Sequence, residues 1–224
     1  MDSTTVFAFC LICISSVAGH NYKQQEKDIY ESLWISSLDL AYKTLYLDFV
    51  QRMEAGDLPA ERYVNFTIQD AYYLVKVTDM LQNLSTSVQN PADLSEFFRD
   101  RYKSYSSFRD YFLNMYFLKG VSDIKPTPAI KKYVSDYETV MNTKEPIYFA
   151  VSLLPCSRLW VWLANKVEME QSNAYYAWKK DNMDGHPEKH YKKLLNKYLN
   201  FKDKEAYRIF RMQMQNERNF FASS

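Results

Sequence analysis

Glycine is scarce in this chain. Four glycines in 224 residues leave few positions able to take a positive φ, which argues against a turn-rich β protein and against glycine-rich loops that cradle phosphates. Histidine is as scarce, with three residues. His186 and His190 stand four apart, but at a polar helix start with no other ligand nearby, so a solvated face is favoured over a metal site. No histidine lies in an apolar context that would suit a serine–histidine–aspartate triad. Charge of one sign is missing too: the formal net charge is +1, with acids and bases interleaved, so nothing marks a nucleic-acid surface. No metal and no cofactor is expected.

Cysteine is sparse, and its placement is informative. Of three cysteines, Cys10 and Cys13 lie in the short apolar run Val6 to Val17, VFAFCLICISSV. Ala18-Gly19 then supplies the small residues that a signal peptidase reads, although the leading MDSTT lacks the usual positive charge. The run is too short to span a bilayer. A secretory signal over residues 1–19 and an extracellular mature domain over 20–224 are expected; the alternative is a buried N-terminal helix. The sequons Asn65-Phe66-Thr67 and Asn83-Leu84-Ser85 are compatible with export. Cys156 would then be the only thiol of the mature chain, and it is an inert core residue, an intermolecular bridge or a reactive group.

What is present is apolar and aromatic. Hydrophobic residues make up 47% of the chain and charged residues 25%, enough for one globular core. Apolar positions recur at helical spacing, no stretch keeps a period of two, and no hairpin signal appears. Tyr22 to Met53 reads as one long helix, unbroken or broken once, with a stripe at Trp34, Leu38, Ala41, Leu45 and Phe49. Gly56 stops it, and Pro59 starts the next. Asn90-Pro91, Thr127-Pro128 and Glu145-Pro146 open three more. A short helix near Ala174 to Lys180 and two C-terminal helices complete a single all-α bundle of about eight helices.

Three reactive groups interrupt apolar helix faces. Tyr63, Phe66, Asp70, Tyr73 and Val77 share one face, so Asp70 is either solvated at an edge or held in an enclosed site, where it would need partners or a ligand. Pro155 removes a helical hydrogen bond beside Cys156 in the most apolar helix. It either frees backbone groups around a thiol or merely bends the helix around the core. Glu217 breaks the stripe Phe210, Met214, Phe221. It pairs with Arg211 or Arg218 at an edge, or it faces inward, where desolvation raises its pKa towards general acid work. Together they form a coherent set: a thiol to attack an electrophilic ring, one acid to hold or protonate a ring nitrogen, another to serve a leaving group.

The motifs around these groups resemble the TenA family, the thiaminase II or aminopyrimidine aminohydrolase group, whose fold is a haem oxygenase-like helical bundle. FVQRMEAGDLPAERYVNFTIQDAYYL is similar to its Phe, Gly-x-Leu-Pro and Gln-Asp-x-Tyr-Tyr-Leu pattern. Leu153-Leu154-Pro155-Cys156 resembles its Leu-Leu-Pro-Cys signature, and Glu217-Arg-Asn-Phe220-Phe221 its C-terminal Glu-x-x-Phe-Trp. The resemblance implies that Asp70 binds an aminopyrimidine with Tyr73 beside it, that Cys156 is the nucleophile, and that Glu217 is the acid/base for the leaving group. It implies C–N cleavage of thiamin or a related aminopyrimidine through a covalent Cys156 adduct, with release to water or another nucleophile. Phe66, Trp160, Phe220 and Phe221 are expected to stack on the ring. Trp160 and Asn182 stand where many members have tyrosines, and Leu47-Asp48 replaces a His-Pro. A homo-oligomer acting on a small molecule is expected, with no nucleic acid and no membrane partner after signal removal. The second reading, from a different class, is a secreted thiamin or aminopyrimidine binder without catalysis. Haem oxygenase activity is disfavoured, since no histidine follows His20 in the early helix to ligate iron.

Overall fold

The computed structural model describes residues 28–224; the expected signal over residues 1–19 lies outside them. Among the described residues the chain forms ten helices and no strand, so the all-α expectation holds with a higher helix count. The difference arises mainly at the N-terminal end. The expected Tyr22–Met53 helix, of one or two pieces and with residues 22–27 outside the described ones, is three: α1 (Ile29–Ser36), α2 (Leu38–Leu45) and α3 (Asp48–Ala55). Ser36 bonds its hydroxyl back to the Leu33 carbonyl at 2.7 Å, and Ser37 leaves helical geometry at φ −123, ψ 12, as short polar side chains do when they compete with the helix. Each break resets the phase of the buried face. Leu33 and Trp34, then Leu40 and Ala41, then Phe49, Val50 and Met53 all reach the core, which one straight stripe could not achieve.

The remaining helices are α4 (Ala60–Ser87), α5 (Ala92–Met115), α6 (Pro128–Thr143), α7 (Pro146–Lys166), α8 (Tyr176–Met183), α9 (Pro187–Tyr198) and α10 (Lys204–Ala222). Their starts follow local chemistry. Thr127 accepts from the Ile130 amide ahead of Pro128, and Asp203 accepts from the Ala206 amide, each satisfying an orphan N–H of the first turn. α7 is the centre, with α6, α8, α9 and α10 packed around it, while α4 and α5 form an antiparallel pair that joins the bundle through α6. α7 is long and apolar enough to cross a membrane, but most of it is buried inside the protein.

α3 ends at Gly56, whose φ of 77 is left-handed. Asn173 donates to the carbonyls of Met53 and Glu54 at 3.2 and 2.8 Å and so caps the same helix end. A Cβ on Gly56 would sit 3.3 Å from Asn173 Nδ2. Gly56→Ala is therefore expected to destabilise the fold by about 1–2 kcal/mol, read as a lower urea midpoint at constant m. An unchanged midpoint would refute the cap.

Candidate active site

A cavity of about 260 Å³ opens between the α4–α5 pair and the α7–α8 pair, near the lower end of the roughly 300–1,000 Å³ typical of small-molecule sites. Asp70 and Tyr73 of α4 and Cys156 of α7 lie in its inner wall, and Tyr116 and Asp181 stand at its opening. The four residues Phe66, Asp70, Cys156 and Trp160 share the cavity because each pair is spaced i, i+4 on its helix. Gly185 also lines it, and a Cβ there would clash with Val161.

Asp70 is 9% exposed. It has no hydrogen-bond partner among the described residues, and its carboxyl lines the cavity. Burial first, and then the charge on Glu217, push its pKa up to about 8, because both disfavour a second negative charge in a low-dielectric wall. The neighbouring Gln69 does structural work instead. Its side chain donates to the Lys125 carbonyl and accepts from the Thr127 amide at 3.1 and 2.8 Å, holding the segment ahead of α6 against α4.

Glu217 faces inward, 1% exposed, so neither candidate arginine neutralises it; Arg211 pairs with Asp39 on the surface. The carboxylate accepts from the Tyr133 hydroxyl at 2.5 Å and from the Trp160 indole N–H at 3.0 Å. Desolvation pushes its pKa up to about 7, against the opposing effect of those donors. Cys156 is set against Glu217 and Tyr73, and burial, followed by the Glu217 charge, raises its pKa well above the ordinary thiol value. The thiol is thus protonated near neutral pH and needs a base, and Glu217 is placed to be one. Pro155 cannot donate to the Val151 carbonyl one turn earlier, which locally loosens α7 beside the thiol.

A second layer of tyrosines fixes this core. Tyr73 meets Tyr137 at 3.0 Å between hydroxyls, and Tyr137 donates to the Ser152 carbonyl at 2.9 Å. Tyr73 also stacks on Tyr133 at 4.8 Å. Tyr133 and Tyr137, four apart on α6, were not singled out in the sequence; their i, i+4 spacing on an apolar face was the signal that could have found them. Tyr63, on the Asp70 face, lines the cavity, and Tyr105, Trp178 and Asp181 join it without a signal in the sequence that marks them.

Phe66 and Trp160 line the cavity as expected, stacked on each other at 5.7 Å. Phe220 and Phe221 sit one layer behind. Phe220 stacks on Phe66 at 4.6 Å and 9°, and Phe221 lies 5.3 Å from both Phe66 and Trp160. They are not among the cavity's lining residues and brace it by packing on Phe66 and Trp160. Asn182 lines the cavity, with its amide donating to the Trp178 carbonyl at 2.8 Å. Trp160 offers an indole N–H, which donates to Glu217 but cannot accept or relay a proton. His186 and His190 are exposed and engage Glu188 and Arg101. Among the described residues no group of three histidines, cysteines or acids is placed to hold a metal.

Residues 48–224 match the model of the TENA/THI-4/PQQC family. Solved structures share the fold. A TenA homologue protein from P. horikoshii OT3 aligns at TM-score 0.69 and 22% identity, over 87% of this chain and 96% of that one. A TenA family transcription regulator from Silicibacter sp. TM1040 aligns at 0.75 and 12%, over 90% and 98%. A TenA homologue from Pyrococcus furiosus aligns at 0.65 and 16%, over 85% and 97%. No curated protein sequence matches the chain.

Proposed function

The chain belongs to the TENA/THI-4/PQQC family, and from that premise we propose that it is a secreted thiaminase-like enzyme. In this reading it cleaves thiamin, or a related aminopyrimidine, at the methylene carbon through a covalent adduct with Cys156. Family membership supports a thiamin-related role in general. The observation that carries the finer reading is the unpartnered Asp70 carboxyl in the cavity wall, with its pKa near 8, in the same lining as Cys156, while Glu217 lies behind that lining, bonded to Trp160 and set against the thiol.

A neutral carboxylic acid offers one O–H donor and one acceptor oxygen side by side. That pair is complementary to a ring nitrogen and its adjacent exocyclic amino group. Asp70 donates to the nitrogen, drawing electron density from the ring, and accepts from the amine. Glu217 takes the thiol proton, and the Cys156 sulfur adds to the ring carbon adjacent to the one bearing the methylene. The C–N bond to the leaving group then breaks with its electron pair going to the departing nitrogen. Water adds to the resulting exocyclic methylene, losing its proton to a base, as the C–S bond breaks and restores the aromatic ring. An added amine or thiol in place of water gives base exchange. Phe66 and Trp160 supply flat faces for the ring.

Export rests on the apolar run Val6 to Val17 and the small residues after it. A secreted enzyme has little use for salvage, which favours breakdown of thiamin outside the cell.

The test is turnover. Purified protein incubated with thiamin should release the thiazole, and adding pyridine or a thiol decides between hydrolysis and exchange. Binding without turnover would instead support the non-catalytic binder. The mechanism also sets a pH profile. Glu217 must be ionised and Asp70 protonated, so kcat/KM should fall below about pH 7 and above about pH 8, with both limbs belonging to the coupled pair. Glu217→Gln should lower kcat by about 10²–10⁴-fold and abolish the acid limb. Because the Glu217 charge helps to raise Asp70, the alkaline limb should also move to lower pH. An alkaline limb that stays in place would refute the coupling.

A further inference from the structure

The cavity lining has acids and no bases among the described residues, and with Asp70 held neutral near pH 7 the charge at its opening is that of Asp181. Asp70 and Asp181 are its lining acids, and among the described residues no lysine, arginine or histidine lines it. The two acids differ in setting. Asp70 is nine-tenths buried, unpartnered and open to the cavity, whereas Asp181 on α8 is exposed at the opening. Aromatic side chains lie between them. Tyr63 feels the charges of both Asp70 and Asp181 and is engaged by the Tyr116 hydroxyl. Trp178, one turn before Asp181, is buried in the wall. Aromatic faces with a carboxylate at the rim attract a flat cation twice over, through the ring quadrupoles and through direct Coulomb attraction.

We propose that Asp181, with Tyr63, Tyr116 and Trp178, forms a cation subsite that selects substrates whose leaving group is a positively charged heteroaromatic ring. The proposal rests on the cleavage reaction above and names what sets its specificity. It also has a kinetic consequence. When the C–N bond breaks, its electron pair goes to the ring nitrogen, and the departing ring becomes neutral. The attraction to Asp181 is therefore strongest in the bound substrate and fades as the bond breaks. Such an interaction tightens substrate binding without raising the rate of the chemical step, and it does not hold the product.

The experiment compares Asp181→Asn with wild type and with Asp181→Glu. Three ligands are used: thiamin, a neutral isostere carrying a thiophene in place of the thiazolium as a competitive inhibitor, and pyridine as the acceptor. For an exposed charge pair, the KM for thiamin should rise about three- to fivefold in Asp181→Asn. The kcat should not fall, the inhibition constant of the isostere should stay the same, and Asp181→Glu should restore much of the KM. An unchanged KM, or an equal loss for thiamin and the isostere, overturns the subsite while leaving the cleavage reaction standing. If wild type turns over no thiamin, the cleavage reading fails. The subsite is then decided by calorimetric Kd values for thiamin and the isostere in both proteins, where only the thiamin value should shift.

Discussion

Cys156→Ser should lower thiamin turnover by on the order of 10⁴-fold while leaving thiamin binding within about threefold. Serine is close in size, so the half-buried site loses little packing and Pro155 keeps its place in α7. What changes is the acidity and nucleophilicity of the attacking atom. A hydroxyl lies several pKa units above a thiol, and Glu217, with its pKa near 7, is too weak a base to deprotonate it. The measurement is initial rate by loss of thiamin, paired with calorimetric binding. Turnover within tenfold of wild type would remove Cys156 from the mechanism. A parallel loss of binding would mean that the substitution had disturbed the pocket, and Cys156→Ala would then separate size from chemistry.

Asp70→Asn should move function and stability in opposite directions. Asparagine can accept from an amine and donate from its NH₂, but it cannot transfer a proton to a ring nitrogen, so kcat/KM should fall about 10²–10⁴-fold. Stability should rise at alkaline pH. The folded pKa of Asp70 is about 8, against 3.8 for an unperturbed aspartate, so between these values the native state binds more protons than the unfolded chain. Stability therefore declines as pH rises through that window and levels off above about pH 8. Asparagine removes this dependence. At pH 8 the variant should melt measurably higher than wild type, with the gap closing towards pH 4. A variant that melts lower at pH 8 would mean that Asp70 is held ionised by a partner.

Much of this site was legible along the chain because its key groups interrupt helical patterns. Asp70 among Phe66, Tyr73 and Val77, Glu217 among Phe210, Met214 and Phe221, and Cys156 after Pro155 in an apolar helix each break a local rule. A broken rule in an otherwise consistent sequence is where function concentrates. The same reasoning fell short where the answer depended on an element far away in sequence. Phe220 and Phe221 occupy an apolar face as expected, but periodicity does not say whether the cavity or a second layer lies across that face. Tyr133 is one more aromatic on an amphipathic helix until α10 brings Glu217 to within 2.5 Å of its hydroxyl. Asp181 reads as surface charge, and only the α7–α8 turn sets it at an opening.

The N-terminal helices make the same point for the fold. A continuous helical stripe over Tyr22 to Met53 is permitted by spacing, yet serines and a wide core let the chain break at Ser37 and again before Asp48. By itself the sequence determined the helical class, the positions of most caps, and which three reactive side chains interrupt apolar helix faces, since these follow from local geometry and the exclusion of apolar surface from water. Only the tertiary structure decided that Asp70, Cys156 and Glu217 face inward and converge from α4, α7 and α10, that the tyrosines of α6 brace them, and that Asp181 stands among aromatics at the opening with no basic side chain among the described lining residues. Convergence depends on how whole helices cross, and that is set by packing summed over the entire core.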